Sequence, residues 1–181
     1  LTEQPSFIWT VRLKMMPLIS ITGRDRFIDG KGEMQMKLNG LVNLGKETGP
    51  KMDEGTLQRY LGETVWFPSA AVSPYIRWEE IDELSAKAIM SYKGTTGSGT
   101  FCFNEDGHFV KFVALRYMGN APDAKRYEWI ITANKHEQTN GITIPVDMDA
   151  TWMLDTGPWT WCNIQITKTN YNMKENGLIF T

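Results

Sequence analysis

Histidine and cysteine are scarce in this chain, with two of each among 181 residues. His108 and His136 fall in different predicted strands or turns, and neither belongs to an H-E-x-x-H pair. There is no paired-cysteine knuckle either, so the sequence offers no metal site and implies no cofactor. Cys102 and Cys162 lie in strand-like runs without a neighbouring histidine, which excludes a disulfide framework and leaves no Cys–His pair readable in sequence. Two thiols or a single inter-strand bridge both fit that spacing. No serine occupies a G-x-S-x-G elbow. The glycine-rich run 94–99 lacks the Gly-Lys-Ser/Thr ending of a phosphate loop and joins two predicted strands, so it reads as a hairpin turn.

Long apolar runs are also missing, which excludes a membrane-spanning helix in this sequence. No signal-peptide pattern is readable. The chain opens on Leu1 rather than Met, so an upstream segment, such as an anchor, is expected, and both the cell envelope and the cytoplasm stay open. Charge of one sign is not in excess: the net charge is −2, which argues against a sequence-blind nucleic-acid binder with its basic face. No repeat, charge block or shift of composition divides the chain, so residues 1–181 are expected to form one β-rich domain.

Bulky apolar residues are abundant: seven Trp, eight Phe and ten Met. They suit a core, and they also suit pockets and contact surfaces. Only Met52–Pro68 has a helical period. Leu57, Tyr60, Leu61, Thr64 and Val65 fall on one stripe, and Gln58, Arg59, Gly62 and Glu63 lie largely off it. Asp53 suits the N-cap, Pro68 ends the helix near Trp66, and Arg59 and Glu63 are spaced to pair. The predicted helix therefore covers about 53–66.

The remainder reads as strands that alternate in polarity between short turns such as Asp29-Gly30, Asn39-Gly40, Asp106-Gly107 and Asn140-Gly141. Consecutive strands joined this way pair antiparallel. The expected fold is mainly β (α+β): a large curved antiparallel sheet, half-barrel or barrel-like, with one main helix packed on its concave face. Phe109–Met118 is apolar on both parities, which predicts a strand covered on both faces, one of them by the helix. Arg116 then sits on a mostly apolar face and needs a partner. Pro145 predicts an edge or a bulge in Ile142–Leu154, Trp159–Asn170 is the last long strand, and Asn176-Gly177 turns into Leu178–Phe180.

Three function classes fit. In the first, the space between sheet and helix binds an apolar or lipid-like ligand without catalysis, with Tyr60, Trp66 and Phe67 as walls and Arg116 as the charge for a polar head group. In the second, the domain is a protein-interaction or cell-envelope module. In the third, the carboxylates after Trp78, chiefly Glu80 and Asp82, run acid–base chemistry, which requires them to line a cleft. The Arg24-Asp25-Arg26 triplet reads as surface salt bridges. The oligomeric state is not readable.

Three stretches together carry a likeness to known proteins: Gly23-Arg24-Asp25 with Asp29-Gly30-Lys31-Gly32, the helix-to-proline run Leu57–Pro68, and Trp78–Asp82 followed by Phe103–Gly107. With its R-Y-L-x-E-x-x-W-F-P core, the chain resembles an uncharacterised family of bacterial conserved hypothetical proteins from about Phe7 to Tyr171. That resemblance implies no catalytic residues. In outline the layout is also similar to the half-barrel of periplasmic lipoprotein carriers and related lipid-binding domains. This second likeness implies an acyl chain held between a curved sheet and its helices.

Overall fold

The computed structural model describes residues 3–172. The expected turn at Asn176-Gly177 and the apolar run Leu178–Phe180 lie outside the described residues. Strands β1 (Phe7–Met16), β2 (Ile19–Ile28), β3 (Lys31–Leu38) and β4 (Val42–Glu47) form one sheet in chain order. Helix α1 (Pro50–Glu63) and two 3-10 turns (Thr64–Trp66 and Pro68–Val72) follow. The second sheet holds β5 (Ile76–Asp82), β6 (Ser85–Tyr92), β7 (Thr95–Phe103), β8 (Phe109–Tyr117), β9 (Arg126–Thr139), β10 (Ile142–Leu154) and β11 (Gly157–Gln165). All pairings are antiparallel and neither sheet closes into a barrel.

The mainly β fold with one main helix packed on it is therefore what the chain adopts, with the strands shared between two sheets. The turns explain the simple order. Asp29-Gly30, Asn39-Gly40, Lys93-Gly94 and Asn140-Gly141 all have positive φ, as tight hairpin turns require. The last long strand ends at Gln165, short of the expected Asn170. Pro145 marks a bulge rather than an edge, because β10 lies between β9 and β11 and its register shifts just after the proline.

Helix α1 lies between the sheets. Its Leu57 and Leu61 are fully buried toward β7 and β8, while its other side meets β2 and β3. The expected single apolar stripe is thus too narrow: Asp53, Gln58 and Gly62 are buried as well. Gln58 donates to the Ser98 and Leu115 carbonyls at 3.3 and 3.1 Å, which lets an amide sit under the helix.

Glycine makes the close approach possible. A Cβ at Gly62 would come within 2.9 Å of the Phe112 ring, and one at Gly97 within 2.9 Å of Leu57. The expected turn over 94–99 is therefore corrected. Only Lys93-Gly94 turns, and Gly97 and Gly99 are strand residues that leave room for the helix and for Phe112. The two-sided cover expected for β8 is corrected too: Phe112 and Ala114 are buried, but Leu115 on the other parity is 53% exposed.

Asp53 does not cap the helix. The N-cap is Gly49, followed by Pro50 at the first helical position. Asp53 instead reaches sideways: Oδ1 accepts from the Gly32 N–H at 2.8 Å, and Oδ2 pairs with Lys31 Nζ at 2.9 Å. It thereby ties the first sheet to the helix. Asp53→Ala should cost ~1–3 kcal/mol in urea denaturation, because the buried Gly32 N–H loses its acceptor. Asp53→Asn keeps that acceptor and should lose less.

Candidate functional site

Four elements converge at the flank of the helix. Arg116 projects from β8 on the same parity as Phe112 and Ala114, toward α1. Gly55 leaves the space it uses: a Cβ there would lie 3.3 Å from Arg116 Nη2. The guanidinium stacks 4.1 Å above the Trp129 ring of β9 and 5.8 Å from the Trp152 ring of β10. The side chain as a whole is half-buried, yet Nε is fully covered and meets no acceptor. Among the described residues Arg116 makes no ion pair.

Beside it lies a second arginine with partners. Arg59 of α1 pairs with Asp25 of β2 and with Glu63 one helical turn on, each at 2.7 Å. Its guanidinium rests 4.6 Å from the Trp9 ring and 5.2 Å from the Phe7 ring of β1. The expected Arg59–Glu63 pair is present. Asp25, expected as a surface ion-pair residue, is instead buried on the inward parity between Gly23 and Phe27. Its Oδ1 is covered and unpaired, and so is Trp129 Nε1.

The electrostatics follow from burial. Burial raises the Asp25 carboxyl above its ordinary range, against the opposing pull of Arg59 and, less strongly, Arg116. Burial, with Arg59 adding to it, lowers Arg116 to about 10, which leaves it a cation at neutral pH. The Cys162 thiol on β11 is pushed up by burial, only partly offset by the charge of Arg59, so it is no nucleophile at neutral pH. The arrangement is a cation stacked over one indole face with a second indole beside it.

The remaining sequence candidates lie elsewhere. Tyr60 is 1% exposed, packs on Phe27 and Phe67, and has its hydroxyl pushed up to about 12, chiefly by burial. Trp66 donates from Nε1 to the Pro145 carbonyl at 3.0 Å, and its own carbonyl accepts from the Tyr171 hydroxyl at 2.8 Å. Tyr60 and Phe67 are thus brought together, while Trp66 is tied to β10 and Arg116 sits over Trp129. Trp159 and Trp161 are each 48% exposed on β11, away from Tyr60.

Glu80 and Asp82 lie exposed on the edge strand β5, and hydrogen bonds from Ser85 and Leu84 hold Asp82 below its ordinary range. Neither suits a general acid. The two histidines, separate in sequence, stack at 5.5 Å, with no third ligand near enough for a metal among the described residues. Cys102 and Cys162 are free. They sit on β7 and β11 with three strands between them, and strand spacing alone puts them roughly 19 Å apart, too far for a bridge.

Two open hollows lie apart from Arg59 and Arg116. One of about 480 Å³ borders Lys31, Glu33, Gly49, Pro50 and Asp53, and one of about 650 Å³ lies at the β1–β2 turn. No described helix is long and apolar enough to cross a membrane.

The family model of DUF6544, a family of unknown function, matches residues 1–164. The chain belongs to that family. The expectation of an uncharacterised family is borne out, and the match covers both sheets, the helix and every residue of the arginine site. No curated protein and no solved structure matches this DUF6544 chain.

What sequence reading missed here is the company of Arg116: Asp25, Arg59, Trp129 and Trp152. One signal was readable, since Asp25 occupies an apolar parity of β2. The two tryptophans gave none, because their meeting depends on which strands neighbour β8 and β9.

Proposed function

We propose that this DUF6544 domain is a non-enzymatic binder of an amphipathic, lipid-like ligand with an anionic head group. The observation that carries the reading is Arg116: a half-buried cation that makes no ion pair among the described residues, acted on by Asp25, Glu63 and Glu54 only from beyond contact distance, stacked over the Trp129 indole with Trp152 beside it, and with a covered Nε that lacks an acceptor. A planar guanidinium so placed matches a carboxylate or phosphate. The apolar part of the ligand would run along the inward parity of the first sheet, where Trp9, Val11, Leu13 and Met36 are half-buried or exposed. Tyr60 and Phe67 would back the site from the core, and Trp66 would fix the adjoining 3-10 turn to β10. The exposed positions of Glu80 and Asp82 weigh against the carboxylate enzyme.

Titration with oleate, read by tryptophan fluorescence, tests this. Oleate should bind, with oleyl alcohol weaker. Arg116→Met should weaken oleate by roughly tenfold or more, the scale of one hydrogen-bonded charge, and should leave the alcohol unchanged. Equal binding of acid and alcohol by the intact protein, or no binding of either, defeats the reading.

A further inference from the structure

The turn between β1 and β2 is built from Pro17 and Leu18, since Met16 pairs directly with Ile19. Leu18 has φ 68° and is 96% exposed. A bulky aliphatic residue is the wrong choice there, where glycine or asparagine fits without strain. The other described non-glycine residues with positive φ are Asp29, Asn39, Lys93, Asn140 and Asn172, all polar. Leu18 therefore opposes both local backbone preference and solvation, and nothing in the fold gains from it.

A second apolar apex stands beside it. Asn39 is bonded to Ser20 three times, its Oδ1 accepting from the Ser20 N–H at 2.8 Å and from the Ser20 hydroxyl at 3.4 Å and its N–H donating to the Ser20 carbonyl at 2.7 Å. That pins the β3–β4 turn against the β1–β2 turn at one end of the sheet. Leu41 at this turn is 85% exposed, and Met15 and Met16 on the first hairpin are 59% and 62% exposed. Charge at this end has one sign. Residues 11–22 and 36–46 contain Arg12, Lys14, Lys37 and Lys46 and no acid, within a chain of net charge −2. Lys46 is engaged by Glu33, whereas Arg12, Lys14 and Lys37 make no ion pair among the described residues.

We propose that this paired-turn tip docks on an anionic lipid bilayer, with Leu18 and Leu41 entering the interface and Arg12, Lys14 and Lys37 meeting head groups. The occupant follows from two features together. The most exposed apolar side chains, Leu18 and Leu41, protrude from two turn apices, and the open hollow beside the first apex is lined by Arg12 and Lys14 together with Met15, Met16 and Leu18, so it sets cations beside apolar groups as a bilayer interface requires. The flanking cations have long aliphatic stems that let them reach phosphates while the leucines sink. The proposal stands whether or not Arg116 binds a ligand.

Flotation of the full chain with vesicles tests it, using phosphatidylcholine alone and phosphatidylcholine mixed with phosphatidylglycerol. The protein should float with the mixed vesicles, less with the neutral ones, and progressively less as salt rises. Leu18→Asp with Leu41→Asp should lower partitioning on the order of tenfold or more. Leu18→Asn supplies the control on folding: it suits φ 68°, so its Tm should equal or exceed that of the parent while its partitioning falls. Failure of the parent to float with the mixed vesicles at low salt overturns the proposal. So does unchanged flotation of the double variant, or a loss of self-association in sedimentation with no change in flotation.

Discussion

Gly99→Val should lower stability by ~3 kcal/mol or more, the upper end of the usual cost of overpacking. A Cβ at Gly99 would enter the ring of Phe112, which is fully buried under the helix. The ring has no free direction. On its helix side the ring lies so close to Gly62 that a Cβ there would come within 2.9 Å of it, and Phe101 closes at 4.7 Å between ring centroids. In a domain of this length each kcal/mol moves Tm by roughly 2–4 °C, so the expected drop is roughly 6–12 °C. Phe112→Leu alone should also destabilise. In the double variant the two losses should not add, because leucine vacates the volume that the valine needs. Thermal unfolding of the four proteins decides the matter, and additive losses would show that the two side chains do not share that space.

The same strand explains how far the sequence could be read. Period-two patterning and Asx-Gly turns made most of the strands and their order readable, because each hairpin is a local event. Gly97 and Gly99 misled, since glycine marks both a turn and a close approach of another element, and only the position of α1 tells them apart. Leu57 and Leu61 were readable as core from their helical spacing. Asp53 and Gln58 were not, because their burial depends on hydrogen bonds to Gly32, Ser98 and Leu115, each 21 or more residues away in sequence. Arg116 stood out as a charge on an apolar face. Its surroundings are a product of the sheet order β8-β9-β10, which brings Trp129 and Trp152 under it.

Arg59→Met should cost ~3–5 kcal/mol at neutral pH, the range for stripping a buried ion of its partner. Asp25 would then retain a carboxylate whose Oδ1 already lacks a hydrogen bond and whose Oδ2 has lost the 2.7 Å contact. The loss should depend on pH in a definite direction. Burial already raises the Asp25 pKa in the intact protein, and Arg59 supplies the largest opposing pull. Removing it raises the folded-state pKa further above the unfolded one. A group shifted that way contributes stability that is fully present below its unfolded pKa and is lost as pH rises through its folded pKa. The penalty of Arg59→Met should therefore be largest near neutrality and shrink as pH falls, because neutral Asp25 no longer needs a cation. Glu33 runs the other way: hydrogen bonding from Lys46, foremost, lowers its pKa, so its contribution fades on acidification in parent and variant alike and cancels in the difference. Urea denaturation of both proteins across that range gives the difference directly. Asp25→Asn in the Arg59→Met background should flatten the curve and recover part of the loss. A penalty that stays constant with pH would place Asp25 outside the influence of Arg59 and leave the buried pair without an energetic role.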